Sequence, residues 1–302
     1  MHCNKGVYFS KEDRVQLWNG ATLNEPGRSF YADSLLYNQK TDFGEGFCNV
    51  MLYDTTEKVK FLADYMFRKP GNEEVVLKES ARIYQYTDKD TLYLAGDTIT
   101  YYQDTTTNTK LSIIENNVAI IKGDMFIRCD SAYFSERDSI LKLHKEPILW
   151  SKNTQLFADS ILTTYYDKEF HEMKMYYNAM IISEHEGDTI HYDQVKGKFM
   201  TAILDSSQIK QVDIEQNSQT LYYPSETSTD STGTEIKTLS GMNQTDCNKI
   251  SIRFKNSEIQ DISFQDDPTS TFYPMDKIPS KKLYFKGFSW EIERKPPRPF
   301  PE

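Results

Sequence analysis

The 302-residue sequence contains no window of roughly eighteen uninterrupted apolar residues, so no segment reads as a membrane-spanning helix. Basic charge is also short: 35 Lys+Arg stand against 45 Asp+Glu, a net charge of −10. That balance excludes the basic footprint that nucleic-acid binding needs, and it argues against electrostatic docking on an anionic membrane. The four cysteines (Cys3, Cys48, Cys129, Cys247) are scattered without a Cys-x-x-Cys pair, which excludes the usual zinc spacings. There is no Gly-x-Ser-x-Gly, P-loop, His-Glu-x-x-His or Gly-x-Gly-x-x-Gly motif, so no catalytic residue, cofactor or metal is expected and the chain is not read as an enzyme. Of five histidines, the nearest pair, His185 and His191, flanks Glu186-Gly187-Asp188 and reads as solvated loop rather than a metal pair. Sustained helical periodicity with caps is missing too.

Aromatic residues, by contrast, are plentiful, with Tyr (20) and Phe (17) suited to the half-buried, pleated surface of a strand. One word recurs along the chain. Phe30-Tyr31-Ala32-Asp33-Ser34-Leu35 returns around Asp64, Asp97, Asp130, Asp159 and Asp193, at spacings of 29 to 34 residues. A period in that range is the mark of a repeat architecture. Each anchor is followed by a polar turn, one or two further strands and a second turn, the grammar of an all-β fold.

Three residues before each aspartate stands a large apolar residue (Phe30, Phe61, Leu94, Ile127, Leu156, Ile190), and two after it another apolar one (Leu35, Met66, Ile99, Ala132, Ile161, Val195). Strand side chains alternate between faces, so positions five apart point to opposite sides of a straight strand. A bend or bulge near each aspartate is therefore expected, letting one sheet wrap over another. The aspartates themselves read as architecture, their short side chains bonding nearby backbone amides, rather than as a carboxylate ladder for cations. Cys129 takes the place of the alanine before an anchor and reads as a small buried hydrophobe.

Residues 1–224 are expected to form the repeat array, 225–239 a low-complexity polar loop, and 240–302 a last unit, with a hairpin 250–264, a cap and a proline-rich tail. Residues 1–28 read as the end of a unit that begins further upstream, so the chain is expected to be a fragment whose leader lies outside it.

Several stretches resemble the OstA/LptA-type lipopolysaccharide transport proteins, in the long OstA-like form of Bacteroidetes. They are Tyr31-Ala32-Asp33-Ser34-Leu35-Leu36-Tyr37 with Gly46-Phe47-Cys48-Asn49-Val50, Cys129-Asp130-Ser131-Ala132-Tyr133-Phe134, Glu146-Pro147-Ile148-Leu149-Trp150, His191-Tyr192-Asp193-Gln194-Val195-Lys196-Gly197-Lys198, Gly241-Met242-Asn243, Tyr273-Pro274-Met275 and Gly287-Phe288-Ser289-Trp290. The likeness spans essentially the whole chain. It implies an elongated, twisted, open β-jelly roll, two antiparallel sheets in a V. The implied role is a non-enzymatic periplasmic bridge between inner and outer membranes, assembled end to end with other copies or transport components, whose interior shields the acyl chains of lipid A.

One acyl chain of about twelve methylenes left in water costs on the order of 10 kcal/mol at about 0.8 per methylene, which makes such cover necessary. From the periodicity alone, the residues expected to line the groove are Phe30, Leu35, Phe61, Met66, Leu94, Ile99, Ile127, Leu156, Ile161, Ile190 and Val195. Two other readings compete: a structural or adhesive β-repeat protein with a filled core, and a β-helix enzyme acting on polysaccharide. The latter would show shorter rungs and an acidic cluster, and neither is present.

Overall fold

The computed structural model describes all residues except 1, 42, 70–72, 88–89, 105, 108, 167–168, 206–207, 230–234, 256–257 and 300–302. The chain forms two compact units, residues 1–145 with 295–302, and residues 146–294. Among the described residues helix is confined to three single 3₁₀ turns, Met275–Lys277, Ser280–Lys282 and Ile292–Arg294, so the class is all-β, as expected.

The first unit is an antiparallel meander of β1 (Lys5–Phe9), β2 (Arg14–Glu25), β3 (Arg28–Asn38), β4 (Phe43–Asp54), β5 (Val59–Arg68), β6 (Glu73–Tyr86), β7 (Thr91–Asp104), β8 (Thr109–Lys122), β9 (Met125–Ser135) and β10 (Ile140–His144), each paired with the next. The second begins with β11 (Ile148–Ser151) and β12 (Thr154–Phe157). Its long strands are β14 (Glu169–Glu184), β15 (Tyr192–Asp205), β16 (Gln208–Tyr222) and β19 (Gly241–Lys255), paired in that order. At its two ends a pair of short strands shares one long partner: β12 and β13 (Ser160–Tyr166) on β14, β20 (Glu258–Gln265) and β21 (Thr269–Pro274) on β19. Several turns are closed by side chains: Asp54 Oδ1 accepts the amides of Thr56 and Glu57, and Asn38 Oδ1 those of Lys40 and Thr41.

The expected bend is present, and its cause lies on the neighbouring strand. Asn19-Gly20, Cys48-Asn49, Glu79-Ser80, Asn116-Asn117, Tyr177-Asn178 and Gln216-Asn217 are consecutive residues with positive φ, one pair in the middle of each of β2, β4, β6, β8, β14 and β16. At each pair the pairing register shifts, as between Trp18 and Ala21 opposite β3. Two residues on one strand there oppose a single residue, Asp33, on the other. Such an insertion bends the strand, and the left-handed conformation it needs is one that asparagine and glycine tolerate best. Every long strand is thereby divided into two arms, and the strands remain paired as one antiparallel sheet on both sides of the bend.

The anchor aspartates sit at this corner, bonded differently from expectation. Asn49 Nδ2 donates to Asp33 (2.8 Å), Asn117 to both oxygens of Asp97 (3.0 Å), Asn178 to Asp159 (3.0 Å), and Lys145 to Asp130 (2.5 Å). The partner is mostly a side chain of the next corner, not a local backbone amide. The exception is Asp193, which accepts the backbone amide of Tyr223 at 2.8 Å and lies away from any corner. Inside the corner only small side chains fit: Ala21 pairs with Ala32, Val50 with Ala63, Ala81 with Gly96 and Val118 with Cys129. A Cβ at Gly96 would stand 2.6 Å from the Ile114 side chain. Cys129 is buried and free, and burial pushes its thiol up to about 12.

Three expectations need correction. The boundaries at 224 and 240 do not divide the fold, because β19 pairs along β16 and continues the array. The stretch 225–239 is not a loop: its described residues form a hairpin, β17 (Ser225–Thr229) on β18 (Glu235–Leu239), while residues 230–234 lie outside those described. The sixth corner does not coincide with Asp193. The register shift in β15 falls between Lys196 and Phe199, so the corner is at Gly197-Lys198. Ile190 consequently lies outside the strands and is 52% exposed.

Candidate functional site

Bending every strand at the same place aligns like with like. In the first unit one arm carries an unbroken row of directly opposed side chains, Leu23–Phe30–Leu52–Phe61–Ile83–Leu94–Ile120–Ile127. The other arm carries Leu17–Leu35–Gly46–Met66–Leu77–Ile99–Ile114–Ala132–Leu143. The rows face each other across the V. The rings of Phe61 and Tyr101 meet edge to face at 5.0 Å, and a Cβ at Gly46 would come within 2.9 Å of the Phe30 ring.

Burial changes along the rows. Leu77, Ile99 and Ile114 have no exposed surface, whereas Leu23, Phe30 and Leu52 are only half-buried. Between the arms at that looser end is a cavity of about 120 Å³, walled by Leu23, Phe30, Leu35, Leu52, Phe61 and Met66. A dry cavity of about 150 Å³ holds one benzene, so this one takes a few methylenes.

The rim of the cavity is charged. Arg28 Nε donates to Asp54 Oδ2 at 2.7 Å, and Lys110 Nζ to Glu57 Oε2 at 2.7 Å. Burial pushes the Asp54 carboxyl up, but the amides of Glu57 and Thr56 and the Arg28 guanidinium outweigh it and hold the group below the usual carboxylate range. Arg68 and Tyr101 also line the cavity, and burial together with the carboxylates of Glu136, Glu57 and Asp54 raises the Tyr101 phenol. The arrangement suits a short apolar group with a polar or anionic end.

Of the residues expected to line a groove, Phe30, Leu35, Phe61 and Met66 wall this cavity. Leu94, Ile99 and Ile127 belong to the same rows where side chains fill the interior. Leu156 and Ile161 are buried in the second unit, in rows of the same kind, Leu149–Leu156–Ile181–Val195–Thr220–Thr245–Ser270 and Ile161–Met175–Met200–Ile214–Ile250–Phe264. Val195 thus stands three residues before the corner Lys198, the slot that Phe30 has before Asp33; Ile190 has no place in either row. The corner asparagines and the rim residues Arg28 and Asp54 were missed. The asparagines carried a signal, since Asn recurs at the middle of the strands between the anchors.

His185 and His191, expected as solvated loop residues, are mostly covered. His191 Nδ1 is 2.7 Å from Asp188 Oδ2, His185 Nε2 is 3.2 Å from Asp193 Oδ1, and both rings lie against Tyr223. Among the described residues no group of three or more His, Cys, Asp or Glu side chains is placed to hold a metal ion.

No protein-family model matches the chain, and no curated protein matches it at a significant level.

Proposed function

We propose that this protein carries lipopolysaccharide between the inner and outer membranes of the periplasm, covering acyl chains of lipid A between the arms of its V and catalysing no reaction. The observation that carries this reading is the pair of facing apolar rows with a charged-rimmed cavity at their looser end. The sequence resemblance to OstA/LptA-type proteins supports it and supplies the compartment and the partners. At about 120 Å³ the cavity receives only the end of one chain. A whole acyl chain, worth on the order of 10 kcal/mol of burial, requires the arms to part along the rows. Arg28 and Arg68 line the cavity together with Asp54 and Glu57.

Sheet edges would serve end-to-end assembly. Among the described residues, the outer edge of β2 is paired with β1 at residues 14–18 and with His2 at Thr22, and Val7 and Tyr8 of β1 are 44% and 56% exposed. In the second unit, β21 is exposed along its length apart from Tyr273. Unpaired strand edges of this sort accept another strand.

A second reading is favoured by one observation: complete burial of the middle of the rows is what a structural β-repeat with a filled core shows. Photocrosslinking separates the two. A benzophenone amino acid at Phe30 or Leu52, irradiated with added lipopolysaccharide, is expected to give a lipid adduct, while the same probe at Tyr8 gives none. A folded protein without an adduct at either interior site, or with equal adducts at Tyr8, would overturn the transport reading in favour of the filled core.

A further inference from the structure

In the first unit one ion pair ties the two arms to each other. Glu57 lies in the turn between β4 and β5, at the tip of the arm that carries Leu52 and Phe61. Lys110 lies at the start of β8, at the tip of the arm that carries Ile114. The two are 53 residues apart in sequence, and Lys110 Nζ donates to Glu57 Oε2 at 2.7 Å. The lysine side chain is only 13% exposed and the glutamate 31%. Each partner is fastened to its own arm. Asp54 Oδ1 accepts the Glu57 amide at 2.9 Å, and Gln85 Nε2 donates to the Glu57 carbonyl at 2.8 Å. On the other side the Lys110 amide donates to Glu136 Oε2 at 3.1 Å, and the Lys110 carbonyl accepts the Glu136 amide at 2.9 Å. Rings meet across the same gap, Phe61 from one arm and Tyr101 from the other.

We infer that the Lys110–Glu57 pair is a latch, holding the arms together at the inner end of the cavity and so setting how long an apolar group the cavity admits. The inference extends the proposed cover of acyl chains and rests on it for its purpose. Glu57 and Tyr101 stand in the cavity wall, and further along the rows Leu77, Ile99 and Ile114 fill the space between the arms. An apolar group longer than the cavity therefore has to part the arms at this point. Because both partners are fastened through their backbones, the arms cannot separate there while the ion pair stays made. Burial of the lysine shields the contact from salt. Separation exchanges it for two charges that must be hydrated apart. Only the parted fraction of molecules is competent to bind, and the apparent affinity for a long apolar group falls in proportion to that fraction.

Fluorescence titration of the full chain with N-phenylnaphthylamine tests the latch, because this uncharged apolar probe is bulkier than benzene and exceeds the cavity. Lys110→Met and Glu57→Ala should each tighten probe binding about three- to tenfold. The double variant should bind no more tightly than either single one, since the second substitution has no contact left to remove. Lys110→Arg keeps the charge and should keep the wild-type affinity. Lys69→Ala removes an ion pair with Glu74 that lies within one arm, and it should change nothing. Unchanged affinity in both single variants, additive tightening in the double, or equal tightening by Lys69→Ala would overturn the latch, as would no probe binding in any variant. Lipid crosslinking at Phe30 is read separately. An adduct there with unaltered probe binding in the variants sinks the latch alone, and the reverse result sinks lipopolysaccharide transport alone.

Discussion

The two units share a corner but differ in what covers the first arm. In the first unit the outer face of that arm carries Tyr84, Tyr86 and Tyr93, with only Lys295 and the Arg298 segment among the described residues lying over it, at Phe126, and its inner row is apolar from Leu23 to Ile127. In the second the same outer face is covered. Phe285, Phe288 and Trp290 pack over Met180, Ile182 and Tyr192, and Met275 and Ile278 over Leu221, Tyr223 and Met242. Two buried glutamines fasten this strap. Gln155 donates to the Ser289 carbonyl and accepts the Glu291 amide (2.7 and 2.8 Å), and Gln194 does the same with Leu283 and Phe285 (2.7 and 2.9 Å). Each glutamine thus stands in for the ladder partner that an irregular chain lacks, which is how a non-strand segment can be buried on a sheet. The inner row of the second unit meanwhile turns polar at Thr220, Thr245 and Ser270. An apolar bend common to both units defines the architecture, and the covering decides which faces remain available to ligand.

The largest expected effect tests the shared interior. Ile99→Ala removes a side chain with no exposed surface and should cost about 2–5 kcal/mol. Hydrogen exchange is expected to show β6–β8 losing protection while β14–β16 keep theirs; loss in both would show that the units do not open independently. Next comes the strap. Gln155→Ala orphans the Ser289 carbonyl, the Glu291 amide and the Trp150 indole N–H, about 1–3 kcal/mol for each group left buried, and limited proteolysis should then cut within 283–291, with the first unit intact. Smaller again is the corner: Asn117→Ala and Asn178→Ala, one in each unit, should each cost about 1 kcal/mol in chemical denaturation. Unequal values would mean the corners are not equivalent.

The smallest effect is a pH dependence confined to the second unit. His185 faces Asp193, Asp188 and Tyr223, and the contact with Asp193, opposed by burial and aided by its charge and that of Asp188, raises the imidazole above its ordinary value. A raised value means the stabilisation is fully present below the unfolded-state pKa of about 6.5. It is lost as pH rises through the higher folded-state value. Thermal melts across that window should show a decline with pH that His185→Gln abolishes; an unchanged profile would show that the pair contributes nothing.

Much of the fold was legible locally. The period, the apolar slots on either side of Asp33, Asp64, Asp97, Asp130 and Asp159, and the bend between them follow from strand alternation and side-chain size. The sixth copy was not legible, because Ile190-His191-Tyr192-Asp193-Gln194-Val195 repeats the word without occupying the place. The corner there is set by Tyr177-Asn178 and Gln216-Asn217 on the flanking strands, and register is a property of the pair rather than of one strand. The rim pair Arg28–Asp54 spans a hairpin and the Gln155 clamp reaches from the start of the second unit to its end, so neither leaves a trace at short range.

That this chain is all-β and bends repeatedly along an apolar-lined antiparallel sheet follows from its residues alone, since apolar side chains flank each aspartate at positions five apart. Only the tertiary structure decided where the interior is filled and where it opens, which outer face is strapped and which bears the tyrosines. Those outcomes depend on the register between strands and on segments far apart in sequence meeting in space, and no local pattern encodes a distance between residues that are neighbours only after folding.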